Sequence, residues 1–335
     1  MICEPIEPMK PIKAFSTFLL TCLTVLLVSC GGGDDFEPLP QRKSAASLSA
    51  GERAEFVDTL LGMKKIPSQF TPTLSAYDYF VDLHVQAFES HSGAHMAPGF
   101  LPWHREYLHR FELEMRRVSG NPRITLPYWD WTEPGSVSAI FTDDFLGGDG
   151  DAAQQYFVVT GPFRKGNWSM AANYDSSDDE FDDLIDPTTP LLKTGLQRRF
   201  NQNGNVPLPA LAQVDSMLNV WRPYDVAPYN RQSDINLSMR NYLEGFWPEG
   251  SSMHNAVHLW VGGQMQTGSS PNDPVFFLHH ANIDRLWSQW QERYGDANYP
   301  TDHHHNADEK LFQFGTLTVA QTFNLTAHSG ITYRD

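Results

Sequence analysis

HMAPGFLPWHREYLHRFE at residues 95–112 and NDPVFFLHHANID at residues 272–284 decide the fold of this chain. Each stretch repeats histidine and large aromatic residues at helical spacing, which predicts a helix that turns imidazoles toward the core. The NDP triplet that opens the second stretch is a helix start signal, and Pro102 marks the start of the helix in the first. The sequence therefore predicts two long helices that carry histidines inward.

Two further helices are predicted to carry histidines. HNAVH at residues 254–258 spaces two imidazoles four residues apart, so both lie on one helix face. His84 shares an apolar helical stripe with Phe80 and Phe88, which predicts that it points inward. We therefore expect a mainly α fold: an antiparallel four-helix bundle core with long irregular loops and a few short strands.

The length and charge of the chain limit its class and partners. With 335 residues and 41% hydrophobic residues, it is long enough for a large globular core. Its formal net charge of −16 argues against nucleic acid and anionic membrane surfaces, because both attract basic proteins. This charge suits solubility outside the cytosol.

The first 29 residues are predicted to be an export signal. Lys10 and Lys13 precede the apolar run AFSTFLLTCLTVLLV, and LVSC follows and ends at Cys30. LVSC resembles a bacterial lipobox, so Cys30 is predicted to carry a lipid anchor and to place the protein in the cell envelope, in the periplasm or at the outer membrane. A plain secretory signal and an uncleaved anchor are the alternatives.

We expect residues 30–48 to form a flexible tether and residues 49–335 a single domain. The tether is rich in Gly, Pro and Ser, and the domain opens on the capping box Ser49 to Glu52. The acidic run at residues 175–186 lacks the spacing of a calcium loop, so it is predicted to be a solvated face. After Gly295 the alternating pattern of residues 311–328 predicts a strand or two.

The ligand types available favour copper. All three cysteines lie within the first 30 residues, so the domain offers neither thiolate ligands nor disulfides. A zinc hydrolase with the histidine pair of residues 254–258 would need a glutamate beside the first histidine, where this chain has Asn255. Ligation by imidazole alone suits copper, and the inward histidines suffice for two ions.

The histidine motifs resemble those of the tyrosinase family, the binuclear type 3 copper proteins that include catechol oxidases and haemocyanins. The first family motif is a histidine, a gap of four or five residues, F-x-x-W-H-R and a later glutamate, and it matches His95, Phe100, Trp103, His104, Arg105 and Glu112. The second is D-P-x-F, a histidine and an aspartate four residues later, and it matches Asp273, Pro274, Phe276, His280 and Asp284. The resemblance covers about Ser49 to Gly295.

The resemblance implies which histidines bind the two coppers. The implied copper A ligands are His84, His95 and His104, and the implied copper B ligands are His254, His258 and His280. His91 competes with His84, but Gly93 interrupts a helix there, whereas His84 has an apolar helical face. His279 competes with His280, and spacing does not separate the two. The family pattern favours His280, because it places Asp284 four residues after the ligand.

The resemblance also implies supporting roles around the coppers. Arg105 belongs to the supporting shell, Asp284 would hold an imidazole in its tautomer, and Phe276 would lie over the copper pair and exclude water. Glu244 and Asn255 would together hold a water near the substrate hydroxyl. His109 is predicted to be solvated, and no role is predicted for residues 303–305.

The activity implied is that of a copper oxidoreductase with O2 as co-substrate. It would hydroxylate small monophenols at the ortho position and oxidise o-diphenols to o-quinones. Three alternatives remain open: a catechol oxidase that acts on o-diphenols only, a haemocyanin-like O2 carrier, and a non-catalytic envelope binding protein. Glu244 and Asn255 favour monophenol hydroxylation, because both residues of the implied base are present.

Overall fold

The structure is a computed structural model that describes residues 37–171, 194–202, 204, 206–296 and 298–334. The predicted export signal, the anchor cysteine Cys30 and the acidic run at residues 175–186 lie outside the described residues. Within the described ranges, no helix combines the length and the apolar character that a membrane span requires.

Helices dominate the described part of the chain, as predicted. The α-helices are α1 (Ala50–Met63), α2 (Asp78–Glu89), α3 (Phe100–Ser119), α4 (Ser136–Ile140), α5 (Leu211–Asn219), α6 (Met239–Glu244), α7 (Met253–Val261), α8 (Val275–Tyr294) and α9 (Leu325–Ser329). The strands, each of two residues, are β1 (Gln41–Arg42), β2 (Gly150–Asp151), β3 (Phe157–Val158), β4 (Phe246–Trp247), β5 (Gly250–Ser251) and β6 (Thr332–Tyr333). Short 3-10 turns include Gly263–Gln266, Ser270–Asn272 and Val319–Thr322.

Local sequence signals explain where the long helices begin and end. The side chain of Ser49 accepts from the backbone N–H of Glu52, and the Glu52 carboxylate accepts in return from Ser49, which confirms the capping box. Gly120, in the left-handed region at φ 70°, ends α3. Helix α8 follows Pro274 directly, as the NDP signal predicts.

Serine hydrogen bonds influence where two further helices begin. Helix α2 begins at Asp78, where Ser75 accepts from the Asp78 N–H at 3.0 Å; the turn signal Thr71-Pro72 alone would predict an earlier start. Helix α6 begins at Met239 and not at Ser233, because the Ser233 hydroxyl donates into a turn at Val226. In both places an alternative polar bond of a serine moves the helix start.

The strands predicted from the alternating pattern at residues 311–328 are wrong. In place of an alternating strand, the 3-10 turn Val319–Thr322 and helix α9 occupy this region. The cause is local capping: the Asn324 side chain accepts from the backbone N–H of Ala327 and starts α9. Capping therefore overrides a short run of apolar alternation.

The prediction that residues 30–48 are a tether is wrong for the residues after Pro40. The compact unit of the chain begins at Leu39, and β1 pairs in parallel with β6 at the other end of the chain. Arg42 is 1% exposed, and it donates to Glu112 on α3 and to Asp284 on α8. Arg42 of the first strand is therefore part of the core, and Gln41 beside it is exposed.

The helices that carry histidines pack through aromatic rings. The rings of Phe111 on α3 and Phe277 on α8 stack with centroids 3.6 Å apart. Phe80 on α2 lies 5.0 Å from Phe111, and the Tyr107 hydroxyl donates to the Phe80 carbonyl. These contacts fix α2 and α8 against α3. The antiparallel four-helix bundle stays a prediction.

Candidate metal centre

The first histidine cluster joins two helices and the loop between them. His84 comes from α2, His95 from the loop after α2, and His104 from α3. The centroid of the His95 ring lies 4.9 Å from that of His84 and 5.0 Å from that of His104. One ligand nitrogen from each ring lies within 4.8 Å of the others, so a single metal ion can reach all three.

The second cluster joins α7 and α8. His254 and His258, one helical turn apart on α7, face His280 on α8. The Nε2 atom of His280 lies 3.2 Å from Nε2 of His254 and 3.3 Å from Nε2 of His258. Three ring nitrogens therefore converge on one point.

Backbone carbonyls decide which nitrogen of several rings is free. Nδ1 of His84 donates to Gly268 O at 2.7 Å, and Nδ1 of His258 donates to Met265 O at 2.5 Å. Nδ1 of His104 donates to Phe100 O at 2.8 Å. A carbonyl can only accept, so each of these nitrogens carries the proton and leaves a lone pair on Nε2.

The free lone pairs fit metal ions. Nε2 of His84 and Nε2 of His104 are buried and have no hydrogen-bond partner in the described structure. In the second cluster, lone pairs at 3.2 and 3.3 Å would repel one another unless a cation lies between them. Three imidazole nitrogens around one ion, each at roughly 2.0–2.1 Å, lie about 3.5 Å apart. The donor set therefore suits one ion in each cluster.

Burial keeps these rings neutral, which ligation requires. Burial lowers the pKa of His84 to about 3 and that of His258 to about 4. The hydrogen bonds from these rings to backbone carbonyls raise both pKa values, but by less than burial lowers them. Burial, followed by the neighbouring imidazoles, lowers the pKa of His95 and His254 well below the ordinary range. The rings are ready to bind a metal at neutral pH without losing a proton.

A fourth histidine, His279, stands beside the second cluster. Its nitrogen lies within reach of the same point, so proximity alone includes it among the possible ligands. Its Nδ1, however, accepts from the indole N–H of Trp131 at 3.1 Å. The neutral ring must then carry its proton on the other nitrogen, Nε2, which in that tautomer has no lone pair for a metal. The hydrogen bonds thus favour His280, a distinction that spacing could not make.

Aromatic contacts connect the two clusters. The His104 ring of the first cluster stacks on the His280 ring of the second, with centroids 4.4 Å apart and 19° between planes. Phe276 stacks on His280 at 4.0 Å and meets His84 edge-on at 5.0 Å. Phe276 therefore contacts rings of both clusters.

Asp284 does not have the role expected for it. Its carboxylate accepts from Arg105 at 2.6 Å and from Arg42 at 2.9 Å, and it also contacts the Tyr333 hydroxyl. Nδ1 of His280 has no hydrogen-bond partner in the described structure, so Asp284 does not fix that imidazole. Arg105 and Arg42 bind the Asp284 carboxylate, although Asp284 lies only one helical turn from His280 on α8. Asp284 and Arg105 instead tie α8 to α3.

A small pocket opens beside the histidines. Glu244 and Asn255 line it together with His84, His95, His254 and His258. Oδ1 of Asn255 accepts from Nδ1 of His254 at 2.9 Å, and Nδ2 of Asn255 is buried without a partner in the described structure. The expected pair thus shares one pocket with four of the expected ligands.

Both carboxylate oxygens of Glu244 accept a hydrogen bond from the protein. Oε1 accepts from the Met96 N–H at 2.6 Å, and Oε2 accepts from Arg240 at 2.8 Å. Burial raises the pKa of Glu244, and the Arg240 charge opposes that rise. Arg240 had no sequence signal beyond its position one helical turn before Glu244.

The remaining histidines lie outside both clusters. His91 is exposed, which supports the preference for His84. His109 is half-buried against the ring of His328, at 5.2 Å, so the prediction that it is solvated is wrong: helix α9 covers it. Residues 303–305 belong to neither cluster.

Two clusters of three available imidazoles, set side by side in a helical core, define a binuclear metal protein of the type 3 copper class. The model of the common central domain of tyrosinase matches residues 74–293. The chain belongs to the tyrosinase family. It is therefore an oxidoreductase of the tyrosinase and polyphenol oxidase type, whose cofactor is a pair of copper ions.

Individual relatives agree with this assignment. The chain is 41% identical over 267 residues to a tyrosinase of Streptomyces antibioticus, an alignment that covers 77% of this chain and 85% of the relative. It is 37% identical to the grixazone synthase of Streptomyces griseus, over 76% of this chain and 85% of that protein. Among solved structures, a polyphenol oxidase from Thermothelomyces thermophila matches with a TM-score of 0.57 and 25% identity, over 76% of this chain and 70% of that one.

Proposed function

We propose that this protein uses O2 to hydroxylate monophenols at the ortho position and to oxidise the resulting o-diphenols to o-quinones. The observation that carries the proposal is the shared pocket of Glu244, Asn255 and the histidines. Both reactions remove phenolic protons, but a monophenol is a weaker acid than an o-diphenol and has a single oxygen for the metal, so its hydroxylation depends more on a positioned base.

The ligand assignment is part of the proposal. The residues that would hold copper A are His84, His95 and His104, and those that would hold copper B are His254, His258 and His280. The copper pair supplies the binding and reduction of O2. Backbone carbonyls orient the rings of His84 and His258. The ring of Phe276 packs on His280 and would exclude water from the space between the ligands.

Asn255 and Glu244 would bind the water that removes the phenolic proton of the substrate. Because Oδ1 of Asn255 is committed to His254, its unpartnered Nδ2 remains to bind an oxygen in the pocket. The Glu244 carboxylate, fixed by Met96 and Arg240, would accept a hydrogen bond from the same water. A water between a donor amide and an acceptor carboxylate can take the proton of a phenol, and the raised pKa of Glu244 strengthens that base.

One observation favours the alternative, an oxidase of o-diphenols only. The ion pair from Arg240 to Glu244, at 2.8 Å, stabilises the carboxylate and reduces its basicity. A haemocyanin-like carrier would need its site shielded from phenols. Among the described residues, none beyond Ser270 lines the pocket, so the C-terminal segment does not cover it.

Oxygen consumption by the copper-loaded protein separates these functions. Tyrosine and its ortho-diphenol are supplied in parallel, and O2 uptake is followed with an electrode. Uptake with both substrates supports the proposal. Uptake with the diphenol alone identifies a catechol oxidase, and reversible O2 binding without turnover identifies a carrier.

Export and lipidation are proposed from the sequence alone. Lys10, Lys13 and the apolar run before Cys30 support an export signal that leaves a lipid on Cys30, with the protein in the cell envelope. Metabolic labelling with a radioactive fatty acid tests this proposal. Label on the wild-type protein that is lost in Cys30→Ala supports it. Unlabelled wild-type protein in the medium would instead indicate plain secretion.

A further inference from the structure

Four imidazoles, rather than three, surround the second metal position. The His279 ring lies 5.0 Å from the His254 ring and 5.0 Å from the His258 ring, and it is fully buried. A fourth protein ligand would close a coordination position, and catalytic metal sites keep one position open for substrate. Some feature of the fold must therefore keep His279 from binding.

Trp131 supplies that feature. Its indole N–H donates to Nδ1 of His279 at 3.1 Å, and both side chains are buried. An indole N–H can only donate, so Nδ1 of His279 carries a lone pair and the proton of the neutral ring lies on Nε2. His258 has the opposite arrangement, because its Nδ1 donates to the Met265 carbonyl. A protonated ring nitrogen has no lone pair for a metal.

We propose that Trp131 is a positioning residue that excludes His279 from the metal ligands and thereby keeps the second cluster at three. This inference rests on the proposed ligands His254, His258 and His280. For Nε2 of His279 to bind a metal, its proton must move to Nδ1, where it would face the indole N–H. Two buried donors would then oppose each other without an acceptor, a penalty that weakens metal binding about tenfold or more.

The proton position can be measured in the copper-free protein. Nitrogen-15 NMR of histidine-labelled protein distinguishes a protonated ring nitrogen from one with a lone pair. We expect His279 to be protonated on Nε2, and His84, His104 and His258 to be protonated on Nδ1. In Trp131→Phe, the Nδ1 resonance of His279 should move toward that of a nitrogen without a hydrogen bond. A wild-type His279 protonated on Nδ1 overturns the proposal, even if the variant does not fold.

A rescue experiment tests the consequence for metal binding. His280→Ala removes one proposed ligand, and copper titration should then show one tightly bound ion and a weakened second one. Adding Trp131→Phe frees Nδ1 of His279, so Nε2 can replace the lost nitrogen. The second ion should then bind about tenfold or more tightly than in His280→Ala alone.

Trp129 provides the matched control. It is as deeply buried as Trp131, and its indole N–H donates at 3.2 Å to the hydroxyl of Ser136 rather than to a histidine. Trp129→Phe combined with His280→Ala should leave the second ion weak. Equal rescue by both tryptophan variants, or two tightly bound ions in His280→Ala alone, would overturn the proposal. The NMR measurement and the copper titration do not require turnover. If the protein oxidised no phenol, the proposed function would fail, and the two measurements would still test the role of Trp131.

Discussion

Arg42 donates through Nη1 to Oδ2 of Asp284 at 2.9 Å, although 242 positions separate the two residues in the chain. The same guanidinium donates through Nε to Glu112 at 2.8 Å. Asp284 lies one helical turn beyond His280, and Glu112 lies two turns beyond His104. The first strand of the fold thus anchors both long helices that carry proposed ligands.

Arg42→Met is expected to lower the free energy of unfolding by about 3–5 kcal/mol, because it leaves Glu112 and Asp284 as buried charges that lose a partner. Denaturant unfolding followed by circular dichroism measures the change. Lys43→Met is the control: its ion pair with Glu52 is about one-third exposed, so its loss should cost under about 1 kcal/mol. Similar losses in the two variants would contradict the anchoring role.

The same network has a pH dependence. Burial alone would raise the pKa of Asp284, but Arg105 and Arg42 outweigh it and lower that pKa below its ordinary value. The contribution of Asp284 to stability is therefore complete above the ordinary pKa of an aspartate and is lost as the pH falls toward the lowered one. In Arg42→Met this acid-sensitive part should shrink.

Removal of copper should destabilise the protein. At a free copper concentration 100 times the dissociation constant, each ion adds about 2.7 kcal/mol to the free energy of unfolding. Thermal unfolding with copper and with a chelator measures the difference, and His84→Ala should lose one of the two contributions. His91→Ala, which changes an exposed histidine outside both clusters, should behave as wild type. Unchanged unfolding in the chelator would argue against both sites.

Asn255→Ala should reduce monophenol hydroxylation by about tenfold or more and diphenol oxidation by much less, since the less acidic monophenol depends more on the proposed water base. Rates with tyrosine and with its ortho-diphenol check this, at equal copper content. Asn255→Asp is the matched control for the His254 bond, because it keeps an acceptor oxygen for Nδ1. Equal loss in both reactions would exclude the role of Asn255.

Glu244→Gln should remove the acid limb of the pH profile for monophenol hydroxylation. A base works only when deprotonated, and burial raises the pKa of Glu244, so wild-type kcat/KM should fall as the pH drops through a value above that of an ordinary glutamate. The variant should be slow at every pH and lack this fall. Glu249→Gln, at an exposed position between β4 and β5, should keep the wild-type profile. An unchanged profile in Glu244→Gln would assign the base elsewhere.

Periodicity was enough to predict the helices that carry the site. His84, His104, His254 and His258 each fall on an apolar stripe, and burial on such a stripe is a local property of sequence. The boundaries of α3 and α8 likewise follow from Pro, Gly and capping signals that act within a few residues.

Features that depend on distant partners could not be predicted. Arg42 looks like a tether residue because its partners, Glu112 and Asp284, are far away in the chain. His279 and His280 both have apolar neighbours at helical spacing, so periodicity does not separate them, and the bond that His279 accepts from the indole of Trp131 comes from a distant part of the chain. Asp284 has the spacing of an imidazole partner, but two arginines from other elements bind it.

The carbonyls of Met265 and Gly268 lie three residues apart on the connection between α7 and α8, yet they orient rings of different clusters, His258 and His84. Whichever ion arrives first should order this connection for the other. The energetic cost of ordering would then be shared, and the two ions should load with positive cooperativity, although neither cluster contributes a ligand to the other.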